Sequence, residues 1–123
     1  MEDKPVVVTA TLTYKQWIKQ YILLWNGMLQ LTEAEVDLLN TFIIRYLDLK
    51  KRISTEEERY ELLFSTRNRK EIKTELDISE QVFNNRFSSL KKKGIIKSTG
   101  NSYKIDSKII PLHNITFKFK ISD

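Results

Sequence analysis

Gln81, Asn84, Asn85 and Ser88 stand close together in the chain, with Arg86 among them and Lys91, Lys92, Lys93, Lys97 and Lys104 just downstream. At about 100° per residue, a helix through this stretch puts Gln81, Asn85, Ser88 and Lys92 on one side and Phe83, Phe87 and Leu90 on the other. Asn84 and Ser89 flank the polar side. A carboxamide carries a donor and an acceptor in one plane, so it can bond a matching planar edge twice. Lysines offer positive charge to anions. This is the chemistry of recognition, not of bond making.

Catalytic chemistry has little to work with elsewhere. His113 is the only histidine and there is no cysteine, so the usual nucleophile–base pairs and thiolate zinc sites are missing. No glycine-rich phosphate loop is present. The carboxylates are scattered, and the triple acid Glu56-Glu57-Glu58 suits a helix's first turn without companion metal ligands. The expectation is a protein that is not an enzyme and needs no cofactor.

Charge is unevenly distributed. Residues 1–64 carry eight Lys/Arg against ten Asp/Glu, whereas residues 65–120 carry thirteen against five. The amide-rich stretch lies in the basic half, which favours a polyanionic partner. The length of 123 residues suits one domain with one modest core. Few glycines and prolines point to a helix-rich globule. The absence of cysteine suits a reducing interior. The acidic Met1-Glu2-Asp3 is unlike a secretory leader, and no apolar run approaches a membrane span, so a cytoplasmic location without membrane contact is expected.

The elements that must position these residues are legible in outline. Val6 to Leu12 reads as a strand, and Thr13-x-x-Gln16 as a capping box opening a helix with Trp17, Tyr21, Leu24, Trp25 and Met28 at helical spacing. The aromatic stripe is read as core or dimer packing. Gly27 and Leu29-Gln30-Leu31 are expected to end that helix. Thr32-x-x-Glu35 opens the next, with Leu31 and Val36 as a hydrophobic staple and Lys50-Lys51-Arg52 at its negative end. Ser54 or Thr55 caps a short acidic helix to Phe64. Asn68-x-x-Glu71 reads as a third box, opening a helix that buries Ile72 and Leu76.

Ile78 packs in a tight turn, Ser79 caps the helix bearing the amides, and Gly94 ends it. Residues 95–98 and 103–105 read as a hairpin around Thr99-Gly100-Asn101-Ser102. Ile115 to Ile121 alternates as a last strand, which pairing with the N-terminal strand would accommodate.

The order helix, tight turn, helix, glycine, basic hairpin resembles the winged helix-turn-helix of bacterial and phage regulators. The resemblance lies in "NRKEIKTELDIS" followed by "EQVFNNRFSSLKKKGIIKSTGNSYKI" and covers about a third of the chain. It implies a mainly α fold with a small β component: supporting helices over residues 13–64, a winged helix-turn-helix over 66–106, and a C-terminal strand segment over 107–123, all in one domain spanning 1–123. It makes residues 79–93 the recognition helix and 97–104 the wing.

Gln81, Asn84, Asn85 and Ser88 are then candidates for base contact, since Asn and Gln match the N6 and N7 edge of adenine in the major groove. Lys91, Lys92, Lys93, Lys97 and Lys104 are candidates for phosphate contact. Arg86, nearer the buried side, is either a phosphate clamp or a structural ion-pair partner. Two departures from the family pattern stand out. Lys73 replaces a usual small residue, so it must reach outward or find a carboxylate, and Asp77 occupies a turn position often held by glycine.

The expected function is sequence-specific double-stranded DNA binding by a homodimeric transcriptional regulator. The alternative is a phage structural, packaging or assembly protein that uses the same module for protein contacts.

Overall fold

Val36, Leu38, Leu39, Phe42, Ile43, Tyr46 and Leu47 are spread around most of a helix's circumference, and a helix apolar on that scale belongs in the middle of a fold. It is found there. The computed structural model describes residues 5–7, 14–110 and 118–120. Five helices carry most of the described chain: α1 (Tyr14–Leu29), α2 (Glu33–Arg52), α3 (Glu56–Leu63), α4 (Thr66–Leu76) and α5 (Glu80–Lys92). Four short strands accompany them: β1 (Pro5–Val7), β2 (Ile96–Ser98), β3 (Tyr103–Ile105) and β4 (Lys118–Lys120). The fold is mainly α with a small β component.

Helix α2 packs against α1, α3 and α5. Its Phe42 lies 5.0 Å from Phe64, 6.1 Å from Phe87 and 6.2 Å from Phe83, ring centre to ring centre. Ile18 and Ile22 of α1, Leu63 of α3, Ile72 of α4 and Leu90 of α5 close the core with negligible exposure. Each such side chain contributes roughly 1.5–3 kcal/mol relative to its exposed state. α2 starts as expected: Thr32 Oγ1 accepts from the Glu35 amide at 3.2 Å, and Leu31 and Val36 are both buried.

Two helix boundaries differ in part from the expectation, and a third lacks its expected cap bond. α1 runs through Gly27 to Leu29 and stops where Gln30 turns left-handed at φ 52°. A glycine inside a helix costs only about 1 kcal/mol, too little to end it. α3 begins after Thr55, whose side chain makes no cap bond. Instead Arg59 donates to the carbonyls of Ile53 at 2.6 Å and Ser54 at 2.7 Å.

α4 begins three residues before the expected box, because Ser65 Oγ accepts from the Asn68 amide at 3.2 Å. Asn68 then bridges elements: its Nδ2 donates to the Leu63 carbonyl at 2.6 Å and its Oδ1 accepts from Arg45 at 2.8 Å. Glu71 pairs with Arg45 at 3.0 Å rather than closing a box.

Among the described residues, two antiparallel pairs make up the sheet structure. β2 and β3 form a hairpin with Ile96 opposite Ile105, Lys97 opposite Lys104 and Ser98 opposite Tyr103. β1 pairs with β4, Val6 opposite Phe119, joining the two terminal segments as the sequence allowed. The expected Thr13 cap, strand residues 8–12 and 115–117, Ile121 and His113 lie outside the described residues. Ahead of the expected strand, residues 107–109 form a turn. Asp106 Oδ1 accepts from the Lys108 amide, Tyr21 donates its phenol to the Lys108 carbonyl at 3.3 Å, and Ile109 and Ile110 are buried.

Candidate nucleic-acid interface

Helices α4 and α5 are joined by Asp77-Ile78-Ser79 alone. Asp77 is left-handed at φ 52°, ψ 52°. Its amide donates to the Thr74 carbonyl at 3.2 Å and that of Ile78 to the Lys73 carbonyl at 3.0 Å, the paired bonds of a Schellman ending. Aspartate tolerates this conformation better than most residues. Ser79 then caps α5 by accepting from the Val82 amide at 3.2 Å. The far end of α5 closes the same way, with Gly94 at φ +75° and the Ile95 amide bonded to the Leu90 carbonyl at 3.0 Å.

Phe83, Phe87 and Leu90 hold α5 by its inner face and are almost fully buried. Lys73, in the place of a small residue, resolves its position as expected of a lysine there. Its ammonium lies 3.8 Å from Glu80 and 5.7 Å from the Phe83 ring centre, tying α4 to the start of α5.

Gln81, Asn84, Asn85 and Ser88 are all exposed, and none of their side chains has a hydrogen-bond partner among the described residues. The structure therefore brings them together on an outward face of a firmly seated helix. Lys92 shares that face and is exposed. Arg86 is half-buried on the inner flank, with no ion-pair partner among the described residues.

The lysines expected to behave alike are divided. Lys93 donates to both carboxylate oxygens of Glu35, at 2.8 and 3.2 Å, and to the Gln30 carbonyl at 2.8 Å. Its charge is committed within the fold. Burial alone pushes the Glu35 carboxyl up, but bonds from Lys93 and Thr32 and the Lys93 charge outweigh it, holding the group below its usual range. Lys91, two residues earlier, lies 5.2 Å over the Phe87 ring and 5.4 Å over the Tyr103 ring.

The hairpin is braced against α3 and α5. Tyr103 meets Phe87 edge-on at 5.1 Å, and the Tyr60 phenol donates to the Ile105 carbonyl at 3.4 Å. Burial keeps that phenol protonated by pushing its pKa far up. Lys97 and Lys104 face each other across the hairpin, a like-charge pair that costs stability unless compensated. Asp106 compensates Lys97 at 3.6 Å. Its carboxyl is lowered chiefly by the bond from the Lys108 amide, with Lys97 adding to it. Lys104 borders a groove of about 370 Å³ whose other wall carries Glu56, Glu57 and Glu61.

Arg69 is the residue that sequence patterning missed. It reaches from α4 over the rings of Phe87 at 5.0 Å and Tyr103 at 5.5 Å. The basic composition of α4 hinted at such a role, but nothing local said which cation turns toward α5. Among the described residues there is no grouping of His, Cys, Asp and Glu able to hold a metal ion, and no helix long and apolar enough to cross a membrane.

Compared with protein-family models, curated proteins and solved structures, the chain matches none. The functional reading therefore stands on the residues and their geometry.

Proposed function

We propose that this chain is a winged helix-turn-helix protein that binds double-stranded DNA with sequence preference, as a transcriptional regulator acting as a homodimer. One observation carries the reading: a helix seated by three buried residues presents Gln81, Asn84, Asn85 and Ser88 outward with their polar groups unpartnered. A helix of this diameter enters the major groove, where such amides distinguish bases. Lys91, Lys92 and Lys104, with Arg86 at the flank, supply phosphate contacts, and Lys97, exposed but paired with Asp106, contributes less. Lys93 serves as scaffold in this reading.

The test is binding to random-sequence duplex across a salt series, followed by selection of preferred sites. Steep salt dependence and an enriched motif are expected. Salt-insensitive or absent binding ends the proposal.

A second reading, a phage assembly protein using the module for protein contacts, draws support from the carboxylates beside the hairpin. Glu56, Glu57 and Glu61 repel a phosphate backbone where Lys104 would attract it. A stable protein partner with no duplex affinity is the outcome that favours it.

A further inference from the structure

Several cations of this fold are given a carboxylate from another part of the chain: Lys73 has Glu80, Lys93 has Glu35, and Arg45 has Glu71. Arg69, half-buried, and Lys91, exposed, are placed together instead on aromatic rings. Both cations lie within 5.5 Å of the same two ring centres, Phe87 and Tyr103. Neither has an ion-pair partner among the described residues, and the Arg69 Nε is buried without an acceptor. The neighbouring acids of α4 do not serve them, since Glu71 is turned to Arg45 and Arg67.

Ring faces attract a cation, but they accept none of the guanidinium's in-plane hydrogen bonds. Two like charges held by the same pair of rings, without a carboxylate among the described residues, describe a receptor for an anion.

We infer that Arg69 and Lys91 form a clamp for a phosphodiester group of duplex DNA, built across α4 and α5 on the Phe87–Tyr103 pair. The inference rests on the DNA-binding reading and adds to it a contact from outside the recognition helix. Lys91 follows Ser88 by one helical turn, so the clamp borders the amide face on the side turned toward α4. The ring contacts hold the guanidinium near its place before the ligand arrives, which reduces the ordering lost on binding. A phosphodiester presents two charged oxygens, so one group can meet the arginine fork and a point-like ammonium. Its place beside the amide face is what favours the DNA backbone as the source.

The test compares the parent with Arg69→Gln, Arg69→Lys, Lys91→Gln and the double Gln variant, measuring duplex binding across a salt series alongside thermal melting. Each Gln substitution is expected to lower the log–log salt slope by about one unit, and the double by about two. Arg69→Lys should keep the slope while weakening affinity, and selected base preferences should stay those of the parent. Lys91 is exposed, so its variant remains informative even if Arg69→Gln melts early. A steep parent slope left unchanged by Lys91→Gln and the double variant overturns the clamp and leaves DNA binding standing. A parent with no salt-dependent duplex binding overturns both.

Discussion

The ammonium of Lys93 lies 2.8 Å from a carboxylate oxygen of Glu35, joining the end of α5 to the start of α2. Glu35 is 6% exposed, so the pair seats the candidate recognition helix from within the fold rather than decorating its surface. Removing the lysine leaves a covered carboxylate without its partner. Lys93→Met should cost about 1–3 kcal/mol, the range of a charge-assisted bond whose lysine stays in contact with solvent. Thermal melting of parent and variant checks this. The DNA salt slope should not move, in contrast to Lys91→Gln.

The same pair sets an acid limit. The Glu35 carboxyl is lowered in the folded chain, so its stabilisation is fully present above the ordinary glutamate pKa of the unfolded chain. It is lost as pH falls through the folded value. Asp106, also lowered, acts in the same direction. Denaturant midpoints measured from pH 7 down to pH 3 should fall in the parent. In Glu35→Gln the stability at pH 7 should already be reduced, and the fall below pH 5 should be shallower. An acid branch identical to the parent's would remove Glu35 from this role.

Phe87 is the residue on which most of the interface converges. Its ring lies 5.8 Å from Phe83, 5.9 Å from Phe64 and 6.1 Å from Phe42, besides Tyr103 and the two cations. Phe87→Ala should cost about 3–5 kcal/mol by chemical denaturation, through lost transfer energy and an uncollapsed cavity. Because the ledge under Arg69 and Lys91 goes with it, duplex affinity should drop even under conditions where the variant stays folded.

Base preference should reside in the amides. Gln81→Ala and Asn85→Ala, both at exposed positions, should leave melting within about 0.5 kcal/mol of the parent. Each should relax discrimination at particular base pairs by about 1–3 kcal/mol. Affinity for random duplex should change little, since the phosphate contacts remain. Site selection on both variants checks the result, and motifs identical to the parent's would assign α5 another role.

The amino-acid sequence by itself determined those features whose physics is local. The Thr32 cap, the Ser79 cap, the left-handed Gly94 and the inward face of Phe83, Phe87 and Leu90 all follow from helix geometry and side-chain type within a few residues. The mainly α architecture with a small hairpin follows from the same patterns. Two boundaries fell outside that reach: Ser65 displaced Asn68 as the cap of α4, and α1 ran on through Gly27, since a helical glycine costs only about 1 kcal/mol.

Only the tertiary structure decided the fate of the cations. Lys91 and Lys93 are near neighbours on the same basic run, yet residues two apart at helical spacing point about 200° apart. That rotation delivers one to an aromatic ledge beside Arg69 and the other to the Glu35 carboxylate, 58 residues away in the chain. No pattern within the run distinguishes them. Charge is a property of the residue, but whether it is free to meet a ligand depends on which distant group the fold places beside it.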